Sequence, residues 1–219
     1  MSQYFENDEN LKSEIAEYSC DILGRNFTFF TDNGVFSKAK LDYGSRFLLE
    51  KLTDCDLGSS LLDVGCGYGP IGIYLSKTFN IPVDMVDVNK RAIHLCKMNI
   101  KENDVSGNAF VSDCYSGVSN KYDTIVTNPP IRAGKKVIYE IVLGAKKHLN
   151  KNGTLYIVIR KDQGAKSMIS DLEKVYDVSI LGKSKGFFVI AAKKRLTSWR
   201  KCVYNIDWQC IIFTNMFFG

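Results

Sequence analysis

From residue 61 onward the chain alternates short apolar runs with longer amphipathic ones, and that rhythm limits the folds open to it. Apolar runs at 61–64, 83–86, 109–111, 124–127 and 154–159 have strand length. Residues 70–79, 90–101, 135–149 and 165–175 carry helical spacing; in the third, Ile138, Ile141, Val142, Ala145 and Leu149 share one face. Pro70 suits the first turn of its helix, because a first-turn N–H has no partner to lose. Two last strands, 177–181 and 186–192, are joined by a basic turn and are expected to pair antiparallel. Such alternation means a mainly parallel sheet with helices on both faces, and ligands in such sheets bind at the carboxyl ends of the strands.

The flanks read differently. Residues 1–16 form a polar, acidic lead-in, and residues 17–194 the domain proper. Within it Tyr18-Ser19-Cys20-Asp21-Ile22 alternates, turns at Leu23-Gly24-Arg25-Asn26, and returns as Phe27-Thr28-Phe29, a hairpin pattern. A loop at Thr31-Asp32-Asn33-Gly34 and a helix over 42–52 follow. Residues 195–219, with Trp199, Trp208, Ile211, Ile212, Phe213, Phe217 and Phe218, read as an apolar appendage outside the core. At 219 residues the chain is long enough for one full core. Seven cysteines are scattered with no Cys-x-x-Cys pair, and His94 and His148 are the only histidines. This argues against a closed disulfide framework, predicts no metal site, and suits a reduced, cytoplasmic setting. No apolar run approaches the roughly 18 residues of a membrane span. The net charge is +5, and basic residues gather beyond Ile131, a bias that suits an anionic partner such as RNA and equally a solvated lysine-rich surface.

Two strand ends carry chemistry. After the first core strand, Asp63-Val64-Gly65-Cys66-Gly67-Tyr68-Gly69-Pro70 opens a helix, and glycines there let backbone turn tightly against a ligand. The frame Gly67-Tyr68-Gly69-Pro70-Ile71-Gly72 also spells the dinucleotide fingerprint. The second strand ends at Asp87, placed to accept from both hydroxyls of a ribose. Asp63 would repel a pyrophosphate but meet an ammonium, and Asp113, after the third strand, would accept from an adenine amine. S-adenosylmethionine, which has an ammonium and no phosphate, therefore fits better than a dinucleotide. Each acid also has the plainer role of helix cap or turn residue open to it. At the other strand end, Thr127-Asn128-Pro129-Pro130 leaves the sheet in a stiff extended turn. Its prolines keep their carbonyls, and Asn128 adds an amide oxygen, so the turn presents acceptors suited to an –NH₂ group.

Together these residues resemble known enzymes. Asp63 to Gly69 is similar to the first motif of class I S-adenosylmethionine-dependent methyltransferases, Asp87 to their second-strand acid, and Asn128-Pro129-Pro130 to their amino-methylating motif. More narrowly, Asn33-Gly34-Val35-Phe36-Ser37, Leu41-Asp42-Tyr43-Gly44-Ser45 and Asn128-Pro129-Pro130-Ile131-Arg132-Ala133-Gly134-Lys135 resemble the small-subunit rRNA guanine-N2 methyltransferase C family. The resemblance implies an α/β, Rossmann-like methyltransferase fold: a mainly parallel seven-stranded sheet with an antiparallel last strand and an N-terminal hairpin. It implies methylation of an exocyclic amine of an RNA base, most directly guanine in rRNA. Asn128, Pro129 and Pro130 would be catalytic, while Asp63, Gly65, Gly67, Gly69, Asp87 and Asp113 would hold the cofactor. Many relatives carry an aromatic residue after the prolines; this chain has Ile131, so either base stacking falls to another residue, with Phe36 the candidate, or the target atom is not the expected amine. Arg132, Lys135 and Lys136 are candidates for phosphate contacts. Members of the family often carry two methyltransferase-like domains, and the length here accommodates the catalytic one.

The same residues leave other functions open. A protein amide or a small amine would fit the same clamp, and a catalytically silent RNA-binding module would keep the cofactor loop without turnover. An NAD-dependent oxidoreductase is disfavoured by the acids around the glycine loop.

Overall fold

A computed structural model of the chain describes residues 12–35, 41–130 and 133–195. A hairpin, β1 (Ala16–Ile22) and β2 (Arg25–Thr31), precedes helix α1 (Tyr43–Leu52). Then come β3 (Leu61–Val64), α2 (Pro70–Phe79), β4 (Val83–Asp87), α3 (Lys90–Glu102), β5 (Gly107–Val111) and β6 (Tyr122–Thr127). The chain continues through α4 (Lys135–His148), β7 (Leu149–Arg160), α5 (Ala165–Leu172), β8 (Tyr176–Ser184) and β9 (Phe187–Lys194).

The seven-stranded sheet has the order β5-β4-β3-β6-β7-β9-β8. All neighbours from β5 to β7 pair parallel, whereas β9 pairs antiparallel with both β7 and β8. The chain thus runs outward from β3 through β4 to β5, then crosses back to lay β6 on the other side of β3. That reversal opens a crevice between the carboxyl ends of β3 and β6, the position where open α/β sheets bind ligands. All four residues of β3 are buried, as befits a central strand covered on both faces. One core holds α1, α2, α3 and the hairpin, through residues such as Leu48, Ile73, Leu95 and Phe29. The other holds α4 and α5, through Ile141, Val142 and Met168.

The hairpin turns at Leu23 and Gly24, both at positive φ (52° and 80°), so its strands keep the twist of a two-residue turn. It docks by side-chain amides. Asn99 of α3 accepts from Phe30 N at 2.7 Å and donates to Phe30 O at 3.1 Å, while Asn103 accepts from Thr28 N and donates to Thr28 O. One asparagine inside α3 and the one that caps its end therefore satisfy the free edge of β2 as a third strand would. Asn99 also donates to Tyr68 O at 2.8 Å, and Tyr68 shares a 2.7 Å hydroxyl contact with Tyr18, which ties the hairpin to the glycine loop.

Several boundaries differ from the sequence expectation, β8 for one running on to Ser184. Asn150-Lys151-Asn152-Gly153, expected to separate helix from strand, lies inside β7, because Leu149 already pairs with Tyr122 and the register then shifts before Thr154 meets Thr124. Asn150 Nδ2 donates to Asp123 Oδ1 at 2.7 Å, and a Cβ on Gly153 would come within 2.9 Å of Tyr122 O, so the irregularity is held on both sides. Helix α5 ends at Leu172 rather than near Val175. Of the expected lead-in, Ser13 Oγ and Glu14 N donate to the buried Asp32 carboxylate. Residues 1–11, and the expected appendage from residue 196 on, lie outside the described residues.

Candidate active site

Leaving β3, the chain makes a loop in which Gly65, Gly67 and Gly69 all take positive φ, at 72°, 58° and 98°. No L side chain adopts three such angles without strain, which accounts for glycine at each position. The loop is pinned to β4, since Gly65 N and Cys66 N both donate to Val86 O, at 2.8 and 3.0 Å. A Cβ on Gly69 would lie 2.7 Å from Cys96 Sγ, so that glycine serves close packing. A Cβ on Gly67 would meet nothing within 4 Å, so that one borders open space.

Two acids brace this loop. Asp63, at 1% exposure, accepts from Gly72 N at 2.9 Å through Oδ2, while its Oδ1 is buried with no hydrogen-bond partner. Burial pushes its carboxyl up to about 7, helped by the charge of Asp87 and opposed by the Gly72 bond. An orphaned buried acceptor is costly on its own and suits a cationic donor arriving from outside. Asp87 is half-buried; its Oδ2 accepts from Gly67 N and its Oδ1 from Asn89 N, each at 2.9 Å. Burial raises its pKa, and the backbone bonds at Asn89, Gly67 and Val88 pull it back. These backbone donors leave the carboxylate, with about four lone-pair sites, capacity for a further donor. Asp113, beyond β5, is exposed.

Across the crevice, Thr127 Oγ1 donates to Val64 O at 2.8 Å and locks the end of β6 to the end of β3. A Cβ built on Gly65 would stand 3.6 Å from Pro130 Cδ, so the glycine loop and the Asn-Pro-Pro turn lie side by side. Ala133 N donates to Pro130 O at 2.9 Å. No described residue donates to Pro129 O or to Asn128 Oδ1.

The Asn128 amide is oriented by a contact the sequence did not suggest. Its Nδ2 donates to Ser45 Oγ at 3.0 Å and to Asp42 Oδ1 at 3.4 Å. Ser45 Oγ in turn donates to Asp42 Oδ2 at 2.6 Å. A carboxylate only accepts, so it claims the serine proton; Ser45 Oγ then has only acceptor capacity to offer Asn128. This sequence of bonds turns the amide –NH₂ inward and leaves Oδ1 facing away. Asp42 does this while capping α1, where it also accepts from Ser45 N at 3.1 Å. The sequence singled out Leu41 to Ser45 and Asn128 to Lys135 as separate motifs of one resemblance, with nothing to say that Asp42 and Ser45 would hold the Asn128 amide.

Lys135 and Lys136 lie exposed at the start of α4, with Lys135 Nζ 5.1 Å over the Tyr139 ring. Phe36, Ile131 and Arg132 lie outside the described residues. The segment leading to Phe36 is held near Asp87: Asn89 Nδ2 donates to Gly34 O at 3.2 Å, and Arg91 Nη1 donates to Asn33 O at 3.0 Å. Among the described residues no group of His, Cys, Asp and Glu could hold a metal ion, and no helix is long and apolar enough to cross a membrane.

Residues 26–191 match the family model described as the methyltransferase small domain. The Bacillus subtilis protein YbxB is 42% identical over 196 residues, which cover 87% of this chain and 98% of that relative. Ribosomal RNA small subunit methyltransferase C of Vibrio parahaemolyticus is 33% identical over 195 residues, or 87% of this chain and 55% of the relative. Its Haemophilus influenzae (strain Rd) counterpart is 37% identical over 138 residues, or 61% and 42%. A T. thermophilus 16S rRNA N2 methyltransferase, solved in complex with AdoMet and guanosine, superposes with a TM-score of 0.76 at 28% identity, covering 84% of this chain and 52% of that one. The chain thus spans nearly all of the B. subtilis relative and about half of these rRNA methyltransferases.

Proposed function

The chain belongs to the methyltransferase small domain family, and from that premise we propose that it methylates an exocyclic amine of an RNA base, guanine in rRNA first among the acceptors, with S-adenosylmethionine as donor. The observation that carries this is the Asn128 amide: its –NH₂ is taken by Ser45 and Asp42, which leaves Oδ1, like the carbonyl of the next residue Pro129, with no donor among the described residues. Relatives named as rRNA methyltransferases, and a neighbour solved with AdoMet and guanosine, support the same assignment.

The residues across the crevice fit the donor. The orphaned Oδ1 of Asp63 suits its ammonium, Asp87 keeps acceptor capacity for the ribose diol, and the open space at Gly67 admits it against backbone. Asp113 is assigned to the adenine amine. When bound, S-adenosylmethionine supplies an electrophilic methyl on sulfur, which leaves as a neutral thioether carrying the electron pair of the broken bond.

What the protein adds is position and charge. The amine of guanine or adenine is a weak nucleophile because its lone pair is delocalised into the ring. Asn128 Oδ1 and Pro129 O accept its two hydrogens, which favours a tetrahedral nitrogen with its lone pair aimed across the crevice. As the N–C bond forms, the nitrogen gains positive charge and both hydrogen bonds strengthen. Bonds to charged groups are worth about 1.5–3 kcal/mol each, so the gain falls on the transition state. The extra proton leaves to solvent afterwards, and no strong base is required. Duplex-buried amines are out of reach, so the target base is unpaired or flipped out.

The test compares rRNA from cells with and without the protein by digestion to nucleosides and mass spectrometry. Loss of one N-methylated base without the protein is the expected result. An unchanged modification profile would refute the rRNA assignment.

A further inference from the structure

We propose that the turn joining β8 to β9, together with the start of α1, forms a wall beside the Asn128 clamp that binds the phosphodiester backbone of unpaired RNA. The proposal rests on the RNA assignment above. Because β9 runs against its neighbours, its first residues and the last residues of β8 reach the edge of the sheet where the parallel strands present their carboxyl ends. There Phe187 pairs with Arg160 on one side and Ser184 on the other. Helix α1 starts at the same place: Tyr43 Oη donates to Ser184 Oγ at 2.7 Å, and the Tyr43 and Phe187 rings are 5.5 Å apart. Gly44 makes the approach possible, since a Cβ there would come within 2.9 Å of the Phe187 ring. Tyr43 lies between Asp42 and Ser45, the two residues that hold Asn128, so wall and clamp share one helical turn.

The cations of this wall sit on rings. Lys185 Nζ is 4.6 Å from the Tyr43 centroid, and the Arg160 guanidinium is 5.6 Å from that of Phe187. Lys183 Nζ is 5.1 Å from Phe188, one residue on and packed in the opposite core, so it extends the charge around the sheet edge. A ring attracts a cation through its quadrupole and fixes its place without cancelling its charge. Lys183 and Lys185 form no ion pair with any described residue. Arg160 meets Asp162 at 2.8 Å, but the two side chains are 48% and 64% exposed, so water screens that pair. Held, uncompensated positive charge at the rim of a base pocket is what the phosphates flanking a bound nucleotide require. Alternating rings and cations match a single strand better than a duplex. Lys135 and Lys136, at the start of α4, follow the Asn-Pro-Pro turn within eight residues of Asn128 and would add to the basic rim for a strand that delivers its base there.

The test measures binding of a single-stranded, guanine-containing RNA oligonucleotide by fluorescence anisotropy across a salt series. The triple variant Arg160→Gln/Lys183→Gln/Lys185→Gln should bind at least about tenfold more weakly than the wild type. Its log–log salt slope should be shallower by about 2, since each single-strand phosphate that goes unneutralised removes roughly 0.7. Its affinity for S-adenosylmethionine and its thermal midpoint should match the wild type, and Lys183→Arg/Lys185→Arg should bind RNA normally. If the triple variant keeps wild-type affinity and slope while the wild type methylates RNA, the wall is refuted and the function stands. If the wild type binds RNA through these residues but transfers no methyl, the function falls and the wall stands. If the wild type binds no RNA, both fall.

Discussion

The two banks of the crevice are built on different principles. The bank proposed to hold the cofactor, at the ends of β3 and β4, is made of contiguous backbone: three glycines at positive φ, pinned to Val86 O and braced by two acids from the strands themselves. The acceptor bank, at the end of β6, owes its orientation to side chains from α1, with Ser45 separated from Asn128 by 83 residues. Contiguous backbone specifies a pocket by local sequence. A side-chain relay specifies one direction of one amide, and it exists only once the sheet and α1 have packed together. The first bank should therefore tolerate damage at a distance, and the second should not.

The largest effect is expected where the relay ends. On the proposed mechanism, Asn128→Ala removes one of two acceptors that strengthen in the transition state and should lower kcat by about 10²–10³-fold, the range seen on loss of one preorganised hydrogen-bond partner. Cofactor affinity, measured by calorimetry, should hardly move; a large loss there would mean the two banks are not separate. On the opposite bank, Asp87→Ala should cost about 1–3 kcal/mol in cofactor affinity, the scale of a charge-assisted hydrogen bond. Intact binding would remove the ribose role of Asp87.

Ser45→Ala tests the relay itself. With the serine hydroxyl gone, Asn128 loses the acceptor that turns its –NH₂ inward, and kcat should fall about tenfold while cofactor affinity holds. Ser45→Thr, which restores a hydroxyl donor to Asp42, should recover part of the rate. Equal losses in both variants would mean that packing, and not direction, matters at that position.

The smallest effect concerns pH. The Asp63 carboxyl is raised from 3.8 to about 7 in the folded protein, so the folded state favours its protonated form. Its favourable contribution to stability is therefore full below about pH 4 and is lost as pH rises through 7. Asp63→Asn should accordingly raise the thermal midpoint of the ligand-free protein at pH 8 and leave it unchanged near pH 4. Cofactor affinity should run the other way, weakening in the wild type as pH falls through 7 and staying flat in the variant. A wild-type affinity independent of pH from 6 to 8 would remove the ammonium role of Asp63.

How much of this was legible in the sequence follows the same division. Strand 61–64 and helix 70–79 stand where the apolar pattern and Pro70 put them, because local spacing and a first-turn proline decide those elements. The two-faced sheet and the antiparallel β9 follow from alternation and a short basic turn. The beginning of β7 was not legible, since Asn150 to Gly153 carry turn residues and become strand only through partners on β6. Nor was the docking of β2 by Asn99 and Asn103, whose spacing looks like an ordinary polar face of α3. In the site, the glycine loop and Asp87 announce themselves within one βαβ unit, while the Asp42–Ser45–Asn128 relay joins two segments that no local pattern links.

The most direct test of the whole account is transfer of isotope-labelled methyl from S-adenosylmethionine by the purified protein, offered total RNA and total protein together. Label is expected in RNA, on an exocyclic amine after nucleoside digestion, with Asn128→Ala lowering the rate and not the site. Label in protein alone, or on a ring carbon, would contradict the amine clamp.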